Sequence, residues 1–401
     1  MNKRKLITVG IPAYKAKGHI EECLSSIKIQ SIKEDIKVIV SADHPDDDYF
    51  YLKEMFPDLD IEVLSCDVNG GPGVARQRAL DKCDTEWITF IDADDIFFTP
   101  FALESMRNAI SPGAIEVQGV FAQEISEVKN LTQSQKEEII RNGGFVPPRM
   151  SPRNDVGHPW VFGRMYSVKF LKDNKIGFSK LRAMEDGEFN WKIRLLIEGS
   201  SMKINLLNDV LYLWRAGSDH SITRIGIEEN GGEPLYNWDL CMVGATAAAI
   251  NAIIYSRKKN PFNGSILRFS VEQMVNQYFT YVRCLEKKEM FAEQCLFNAK
   301  RFYHSIYKKI EDQIDDEILK NMYTAGYAAT SQDMIGVIPQ ITFKDFMKKL
   351  ATDTYGGKKE FDEIRAKLPD WVIELDKKSG VLGAEGYIYT DDEEREDEQV
   401  V

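Results

Sequence analysis

The stretch Ile88-Thr89-Phe90-Ile91-Asp92-Ala93-Asp94-Asp95 joins an apolar strand to three carboxylates within four residues. Like charges held so close together raise the free energy of a chain unless a cation neutralises them. Mg²⁺ and Mn²⁺ prefer oxygen ligands, and they bind one or two carboxylates together with phosphates. The stretch therefore predicts either a divalent-cation site for a diphosphate or an acidic turn that caps a helix starting near Pro100.

The first 125 residues alternate short apolar strands with helical patterns. This order is typical of a mostly parallel sheet covered by helices on both faces, in which ligands bind beyond the carboxyl ends of the strands. The sequence therefore predicts an α/β fold. We expect strands near residues 6–11, 38–40, 61–64, 87–91 and 115–122, and helices near residues 20–27, 49–56, 72–83 and 100–109.

Two further motifs follow neighbouring strands of this expected sheet. Asp43 lies in a polar turn just after one strand, where it is either a ligand contact or part of an ordinary strand exit. Asn69-Gly70-Gly71-Pro72-Gly73 opens a helix that carries Arg76 and Arg78 in its first turns. Helix N-termini and nearby cations attract phosphate, although glycine-rich turns before helices are common.

Later in the chain, Glu185 and Asp186 stand at the start of an amphipathic helix. A carboxylate in this position is either a helix cap, which the motif alone favours, or a general base that faces a site. His220 follows a strand-like segment that ends near Trp214, and it is either a solvated side chain or a ligand.

These motifs belong to a longer ordered set between about residues 5 and 225. The set resembles the family 2 glycosyltransferases, which have the GT-A nucleotide-sugar-binding fold. The resemblance implies a Rossmann-like, mostly parallel sheet flanked by helices and an inverting sugar transfer from a nucleotide-sugar donor. Its segments are Val9-Gly10-Ile11-Pro12-Ala13-Tyr14, Glu21-Glu22-Cys23-Leu24-Ser25-Ser26-Ile27, Gln30-Ser31, the Asp43 turn, Ala75-Arg76, Asp92-Ala93-Asp94-Asp95, Phe162-Gly163-Arg164-Met165-Tyr166, Glu185-Asp186, Trp214-Arg215 and Ser221-Ile222-Thr223.

The resemblance implies a role for each motif. Asp186 would be the general base, with Glu185 beside it. The family often has two adjacent aspartates after the second strand, the first of which contacts the base, and here that position is Ala42. A UDP-linked donor is expected, and the nucleotide identity stays open. The donor would contact Pro12, Ala13, Tyr14, Asp43, Gly73, Arg76, Asp92, Ala93 and Asp94, and Asp92, Asp94 and His220 would hold Mn²⁺ or Mg²⁺.

Length and composition bound the remaining possibilities. The 401 residues suffice for a catalytic domain over 1–228 and a mainly helical domain over 229–385, followed by an acidic, disordered tail over 386–401. A net charge of −12 argues against general binding to polyanions. The six cysteines form no CxxC pair, and no apolar segment reaches the roughly 20 residues that span a bilayer. We expect a soluble, cytoplasmic protein, in the host cytoplasm if it is phage-encoded.

Residues 251–310 depart from this acidity, with eleven Lys or Arg against four Glu and a net charge of +7. Aromatic residues are interleaved with these cations. One reading is a helical pair with an aromatic core and solvated lysines. The other is a surface for an anionic acceptor, in which Trp160, Lys287 and Lys288 contact the acceptor. On that reading the chain resembles phage-encoded family 2 enzymes that glycosylate hydroxymethylcytosine in DNA.

Three other readings remain. The commoner acceptors of the family are cell-surface or capsular glycans. A nucleotidyltransferase also binds a metal diphosphate on an α/β sheet, but it usually has a glycine-rich loop with Arg or Lys where this chain has Pro12-Ala13-Tyr14-Lys15. A non-catalytic nucleotide- or nucleic-acid-binding protein of the same fold would not require Asp92, Asp94 and Asp186. The sequence does not indicate the donor sugar or the oligomeric state.

Overall fold

The computed structural model describes residues 5–124, 145–146, 160–215, 241–261, 264–287, 289–330 and 334–379. These residues form two compact units. Unit 1 comprises the described residues of Met1–Lys180 and Ser200–His220, and unit 2 comprises those of Leu181–Gly199 and Ser221–Val401. Residues 181–199 therefore group with the later helices, whereas the sequence placed them in the domain 1–228. The expected tail, 386–401, lies outside the described residues.

Unit 1 is built on a mixed sheet with the strand order β3-β2-β1-β4-β8-β6-β9-β5, and β7 pairs with β6. The neighbours from β3 to β4 are parallel, as are β6 and β9. β8 is antiparallel to both β4 and β6. In the described chain the strands are β1 (Ile7–Ala13), β2 (Ile36–Ala42), β3 (Asp60–Leu64), β4 (Trp87–Phe90), β5 (Ile96–Phe97), β6 (Ala114–Glu124), β7 (Phe145–Val146), β8 (Arg164–Ser167) and β9 (Lys203–Trp214).

The helices of unit 1 follow the sequence pattern closely. Ile20, Cys23, Leu24 and Ile27 recur at helical spacing and are all buried, so this face of the first helix packs on the core. The helix expected near Pro100 begins two residues later, after the short strand β5. The described helices of this unit are α1 (Ile20–Lys28), α2 (Leu52–Met55), α3 (Pro72–Lys82), α4 (Ala102–Asn108) and α5 (Val168–Asn174).

The register of the central strands brings three strand ends to one edge of the sheet. Gly10 of β1 lies opposite Ile39 of β2 on one side and Phe90 of β4 on the other. A Cβ at Gly10 would stand 3.0 Å from Phe90 and 3.2 Å from Ala79 of α3, so glycine permits the close approach of this helix. The residues that follow β1, β2 and β4 consequently share the carboxyl edge of the sheet.

Unit 2 is helical among its described residues, as the sequence predicted for the later part of the chain. Its helices are α6 (Glu185–Ile197), α7 (Cys241–Lys259), α8 (Gly264–Lys287), α9 (Ala292–Ser305), α10 (Asp316–Thr330), α11 (Phe343–Thr352), α12 (Gly357–Arg365) and α13 (Asp370–Ser379). No helix in the described part of the chain is both long and apolar enough to cross a membrane.

The aromatic residues of the basic segment lie mainly in the core of unit 2. Tyr278 packs against Phe279, Phe343 and Phe346, with ring centroids 5.2 to 5.5 Å apart. Eight described aromatics of this segment are buried, which supports the packing interpretation of the pattern. They are Phe269, Tyr278, Phe279, Phe291, Phe297, Phe302, Tyr303 and Tyr307.

Candidate functional site

The turn after β4 exposes some of its carboxylates and buries another. Asp92 and Asp94 are partly exposed, while Ala93 and Asp95 are buried. The N–H of Asp95 donates to the carbonyl of Asp92 over 3.0 Å and closes the turn. The following helix, α4, has Phe101 as its N-cap and no side-chain capping bond, so these aspartates do not cap it.

Asp95 anchors this turn to the end of β9. The hydroxyl of Tyr212 and the N–H of Arg215 both donate to the Asp95 carboxylate, the latter over 2.7 Å. The N–H of Asp92 donates to the same Tyr212 hydroxyl over 3.3 Å. Burial raises the pKa of Asp95, and the charges of Asp92 and Asp94 raise it further. Tyr212 therefore fixes the backbone from which Asp92 projects.

Two arginines of α3 reach the ends of different strands. The buried Arg76 donates to Asp92 over 2.6 Å. Arg78 lies 3.6 Å from Asp43, beyond β2, and also donates to the carbonyls of Ala42 and Ser65. Because α3 joins both turns, the acidic residues after β2 and β4 are held in one arrangement.

Asp43 is buried and also binds the turn before α3. Its Oδ1 accepts the N–H of Gly70 over 3.0 Å, and its own N–H donates to the carbonyl of Ala13 over 2.7 Å. Gly71 caps α3 with a φ of 88°, which favours glycine, and Pro72 occupies the first helical turn. Asp43 thus holds the glycine-rich turn against the sheet, and a donor contact from it stays a prediction.

The end of β1 is buried, and the residue that follows it is an exposed tyrosine. Pro12 and Ala13 are buried, whereas Tyr14 is 38% exposed. The Tyr14 ring meets His44 edge-on, with centroids 5.8 Å apart, and Lys15 Nζ lies 5.2 Å from the Tyr14 centroid. Gly73 is buried in the first turn of α3. Tyr14 therefore presents an aromatic ring to solvent just after β1, and a nucleoside contact from it stays a prediction.

The oxygen ligands at this edge fit a divalent cation that is shared with a diphosphate. No three His, Cys, Asp or Glu residues of the described chain are grouped so as to hold a metal by themselves. Asp92 and Asp94 offer two accessible carboxylates, and Mg²⁺ or Mn²⁺ completes such a set with phosphate oxygens and water. Burial raises the pKa of the nearby Cys23 thiol, and the negative charges of Asp95, Asp94 and Asp92 raise it further. The carboxylates of this turn therefore act on neighbouring groups.

The expected catalytic carboxylates stand in unit 2, in the first turn of α6. Glu185 is buried and Asp186 is partly exposed, with its Oδ1 accepting the N–H of Gly187 over 2.7 Å. The N-cap is Met184, with a φ of 68° and no side-chain capping bond. Asp186 therefore satisfies one N–H of the first helical turn, and its carboxylate stays partly exposed.

Residues 8–174 match the family model described as Glycosyl transferase family 2. They form a family 2 glycosyltransferase domain. This domain lies within unit 1, and the fold is the GT-A fold. A crystal structure of Staphylococcus aureus TarS 1-349 in complex with UDP superimposes with a TM-score of 0.56 at 18% identity, covering 88% of this chain and 93% of that one.

Curated relatives of the family 2 domain are longer proteins. "Glycosyltransferase GlyA" of Streptococcus pneumoniae is 25% identical over 231 residues, 56% of this chain and 32% of that protein. "Poly(ribitol-phosphate) beta-N-acetylglucosaminyltransferase TarS" of Staphylococcus aureus is 25% identical over 216 residues, 52% of this chain and 35% of that protein. The chain spans about a third of the length of these relatives.

The remaining expected site residues are distributed between the units or lie outside the described chain. Trp160, in unit 1, is 39% exposed and stacks on Phe162 with centroids 5.6 Å apart. Lys287, in unit 2, donates to the carbonyl of Ile335 over 2.8 Å. His220 and Lys288 lie outside the described residues.

Two further residues of unit 1, Asp95 and Tyr212, shape the site although the sequence analysis does not predict a role for them. Asp95 lies in the Asp92–Asp95 motif, and Tyr212 lies in an apolar strand far along the chain. The sequence gives little indication of the role of Tyr212. It differs from its apolar neighbours only in its hydroxyl, which needs a hydrogen-bond partner when it is buried. Its bond to Asp95 joins residues 117 positions apart.

Proposed function

We propose that this chain is an inverting, metal-dependent glycosyltransferase that moves a sugar from a UDP-linked donor to an acceptor hydroxyl. The observation that carries the proposal is the carboxyl edge of the sheet in unit 1. Asp92 and Asp94 stand there with Arg76 on one carboxylate, and the exposed ring of Tyr14 follows the neighbouring strand. Such an edge suits a nucleoside diphosphate.

The residues of this edge position the donor. Arg76 orients Asp92, and Tyr212 and Asp95 fix the turn beneath it. Asp92 and Asp94 would hold a Mn²⁺ or Mg²⁺ ion, which would supply positive charge against the diphosphate as it leaves. His220 is proposed as a further ligand on the family resemblance alone. The rigid turn keeps these oxygens in place without reorganisation during the reaction.

Asp186 is proposed as the general base. It removes the proton of the acceptor hydroxyl while that oxygen forms a bond to the anomeric carbon. The bond from the anomeric carbon to the diphosphate oxygen breaks, its electron pair leaves with the nucleotide, and the sugar configuration inverts. The family resemblance carries this role, and the partly exposed carboxylate in the first turn of α6 is consistent with it.

The UDP proposal rests on the related protein rather than on a base contact in this chain. The TarS fragment was crystallised in complex with UDP. Here Ala42 occupies the position at which the family often has the first of two aspartates, and Asp43 is engaged with Gly70 and Arg78. Tyr14 is the group that we expect to pack on the base.

A cell-surface glycan is the first candidate for the acceptor, because several relatives are named for poly(ribitol-phosphate). Hydroxymethylcytosine in DNA is the second candidate, favoured by the net charge of +7 over residues 251–310. The aromatic residues of that segment support DNA less well, since those in the described core cannot stack on bases.

Mass spectrometry of acceptors tests the reaction. The protein is incubated with Mn²⁺, a panel of UDP- and GDP-sugars, and acceptors that include surface glycans and hydroxymethylated DNA. We expect one acceptor to gain one sugar mass. Asp94→Ala and Asp186→Ala should each lower transfer at least ~100-fold, whereas the exposed carboxylate controls Asp58→Ala and Asp362→Ala should not.

The outcomes test the general base, the acceptor and the overall function separately. Full activity of Asp186→Ala would overturn the assignment of the base. Transfer to DNA that falls steeply with salt and is lost on charge reversal of Lys287 and Lys288 would favour the second acceptor. A protein that neither binds UDP nor transfers any sugar of the panel would contradict the proposed function.

A further inference from the structure

A cleft with charged and aromatic side chains in its lining lies between α6, α8 and α10 within unit 2. Its larger part has a volume of ≈ 240 Å³. A second recess of ≈ 160 Å³ adjoins it, because Arg268 and Met322 line both. The carboxylates and arginines of the family 2 domain are not part of this cleft, whose lining residues all belong to unit 2.

Two helices line the cleft with matching stripes of side chains. Positions i, i+3, i+4 and i+7 of a helix share one face, and both stripes have this spacing. Each stripe contains one aromatic residue, one arginine and one glutamate. The stripe of α6 and its C-cap is Trp191, Arg194, Leu195 and Glu198, and that of α8 is Ser265, Arg268, Phe269 and Glu272.

The aromatic residues of the stripes meet in the floor of the cleft. The rings of Trp191 and Phe269 are 5.3 Å apart and inclined at 59°. Both are largely buried, with exposures of 9% and 8%. They therefore provide a rigid apolar base below the charged groups.

The two arginine–glutamate pairs differ. Arg268 is bonded to Glu198 over 2.8 Å. Arg194 and Glu272 attract each other, yet within the described chain neither forms a hydrogen bond or an ion pair. The Glu272 side chain is exposed in the cleft. Desolvation by the surrounding protein raises the pKa of Glu272, and the charge of Arg194 offsets only part of this effect. The cleft thus holds one arginine–glutamate pair that is joined by a hydrogen bond and one pair that is not.

The charge of the lining disfavours an anion. Two arginines face the carboxylates of Glu198 and Glu272, and the adjoining recess adds Asp315 and Glu317. Because acidic groups outnumber basic ones, a phosphate or nucleic-acid backbone would be repelled. A guanidinium that donates and a carboxylate that accepts, over an aromatic floor, instead match the neighbouring hydroxyls and apolar C–H faces of a sugar.

We propose that this cleft binds a neutral oligosaccharide, with Arg194 donating to hydroxyl oxygens and Glu272 accepting from hydroxyl hydrogens above the floor of Trp191 and Phe269. The identification of the ligand as part of a glycan acceptor rests on the proposed function. The cleft would then give unit 2 a part in acceptor binding, at uncharged sugar units of a glycan and not at any phosphate that the glycan carries.

Calorimetric titration of the full chain tests this site. The probes are cellotetraose and chitotetraose as neutral oligosaccharides, and a hydroxymethylcytosine oligonucleotide as the anionic comparison. We expect at least one tetrasaccharide to bind in the millimolar range or more tightly. Arg194→Lys, which keeps the charge but loses the planar fork, and Glu272→Gln should each weaken binding about tenfold.

The control is Lys367→Ala, which removes an exposed cation of unit 2 that pairs with Glu293 outside the cleft and should leave saccharide affinity unchanged. Thermal melting of each variant checks that it folds. If neither tetrasaccharide binds, or if the Arg194 and Glu272 variants bind as tightly as the wild type, the inference is wrong. UDP binding, measured separately on the wild type, reports on the proposed function, so the two failures are distinguishable.

Discussion

At the scale of the residue, the hydroxyl of Tyr212 connects two parts of the site, accepting from the N–H of Asp92 and donating to Asp95. In Tyr212→Phe, the buried Asp95 carboxylate loses a partner. We expect the free energy of unfolding to fall by about 1–3 kcal/mol, together with a weaker affinity for UDP. Urea denaturation and calorimetry measure these effects. Tyr327→Phe, at a half-exposed ring, is the control, and an unchanged stability of Tyr212→Phe would refute the anchoring role.

His304 lies in α9 of unit 2 and is partly buried. Burial lowers the pKa of His304, and Lys308 and Lys300 act in the same direction, while the backbone of Asp353 opposes them. The unfolded chain, in which histidine titrates near pH ~6.5, binds this proton more readily. The resulting stability is therefore present above about pH 6.5 and is lost as the pH falls.

Urea denaturation between about pH 7.5 and 5.5 measures this effect. We expect the wild type to lose stability on acidification and His304→Gln to lose less, because glutamine does not titrate. Nearby groups that face the histidine contribute equally to both proteins, so the difference between the two slopes isolates His304. Equal slopes would show that its protonation does not differ between the folded and unfolded chains.

Single residues also show which parts of the site the sequence could predict. Asp92, Asp94 and Arg76 lie in local motifs with a chemical reason for their spacing, and the structure brings Arg76 onto Asp92. The role of Tyr212 could not be predicted in this way, because strand pairing across the sheet places it beside Asp95 and no local pattern records that contact.

At the scale of the element, the start of α6 depends on its packing against α7. A Cβ on Gly244 of α7 would lie 2.5 Å from the carbonyl oxygen of Ala183, just before the N-cap Met184. Gly244→Ala should therefore displace the turn that carries Asp186. We expect a loss of about 1–3 kcal/mol in stability and a lower kcat, with little change in the KM for the donor.

Denaturation and steady-state kinetics check this expectation. Gly264→Ala is the matched control, because a Cβ at that helical position meets no atom within 4 Å. A Gly244→Ala enzyme with the kcat and stability of the wild type would show that the approach of α7 to Ala183 is not needed.

The elements differ in how well the sequence predicts them. Strands β1 to β4 appear as apolar runs, and their observed ends lie within about two residues of the expected ones. The two-residue β5 is too short to give a pattern. The antiparallel direction of β8, which together with β5 and β7 makes the sheet mixed, depends on distant pairings such as Thr89 with Met165. Local propensity carries no information on these pairings.

At the scale of the whole molecule, the family 2 domain and the helical unit each have a separate core. The sequence predicted a helical region after the catalytic fold, but it assigned the segment of α6 to the first domain. Buried residues of α6, including Trp191 and Leu195, instead join the core formed by α7 and α8. The unit to which α6 belongs depends on which apolar faces pack against each other. The hydrophobic pattern of α6 alone does not show which face of another helix it contacts.

Asp92 and Asp94 are proposed to bind a cation together with the diphosphate of a nucleotide. Calorimetric titration of the full chain with UDP in the presence of Mn²⁺, repeated after chelation with EDTA, measures whether the cation contributes to nucleotide binding. We predict that chelation or Asp94→Asn weakens UDP binding at least about tenfold, whereas Asp58→Asn, at an exposed carboxylate, does not. UDP affinity that is the same with and without Mn²⁺, and the same in Asp94→Asn, would contradict it.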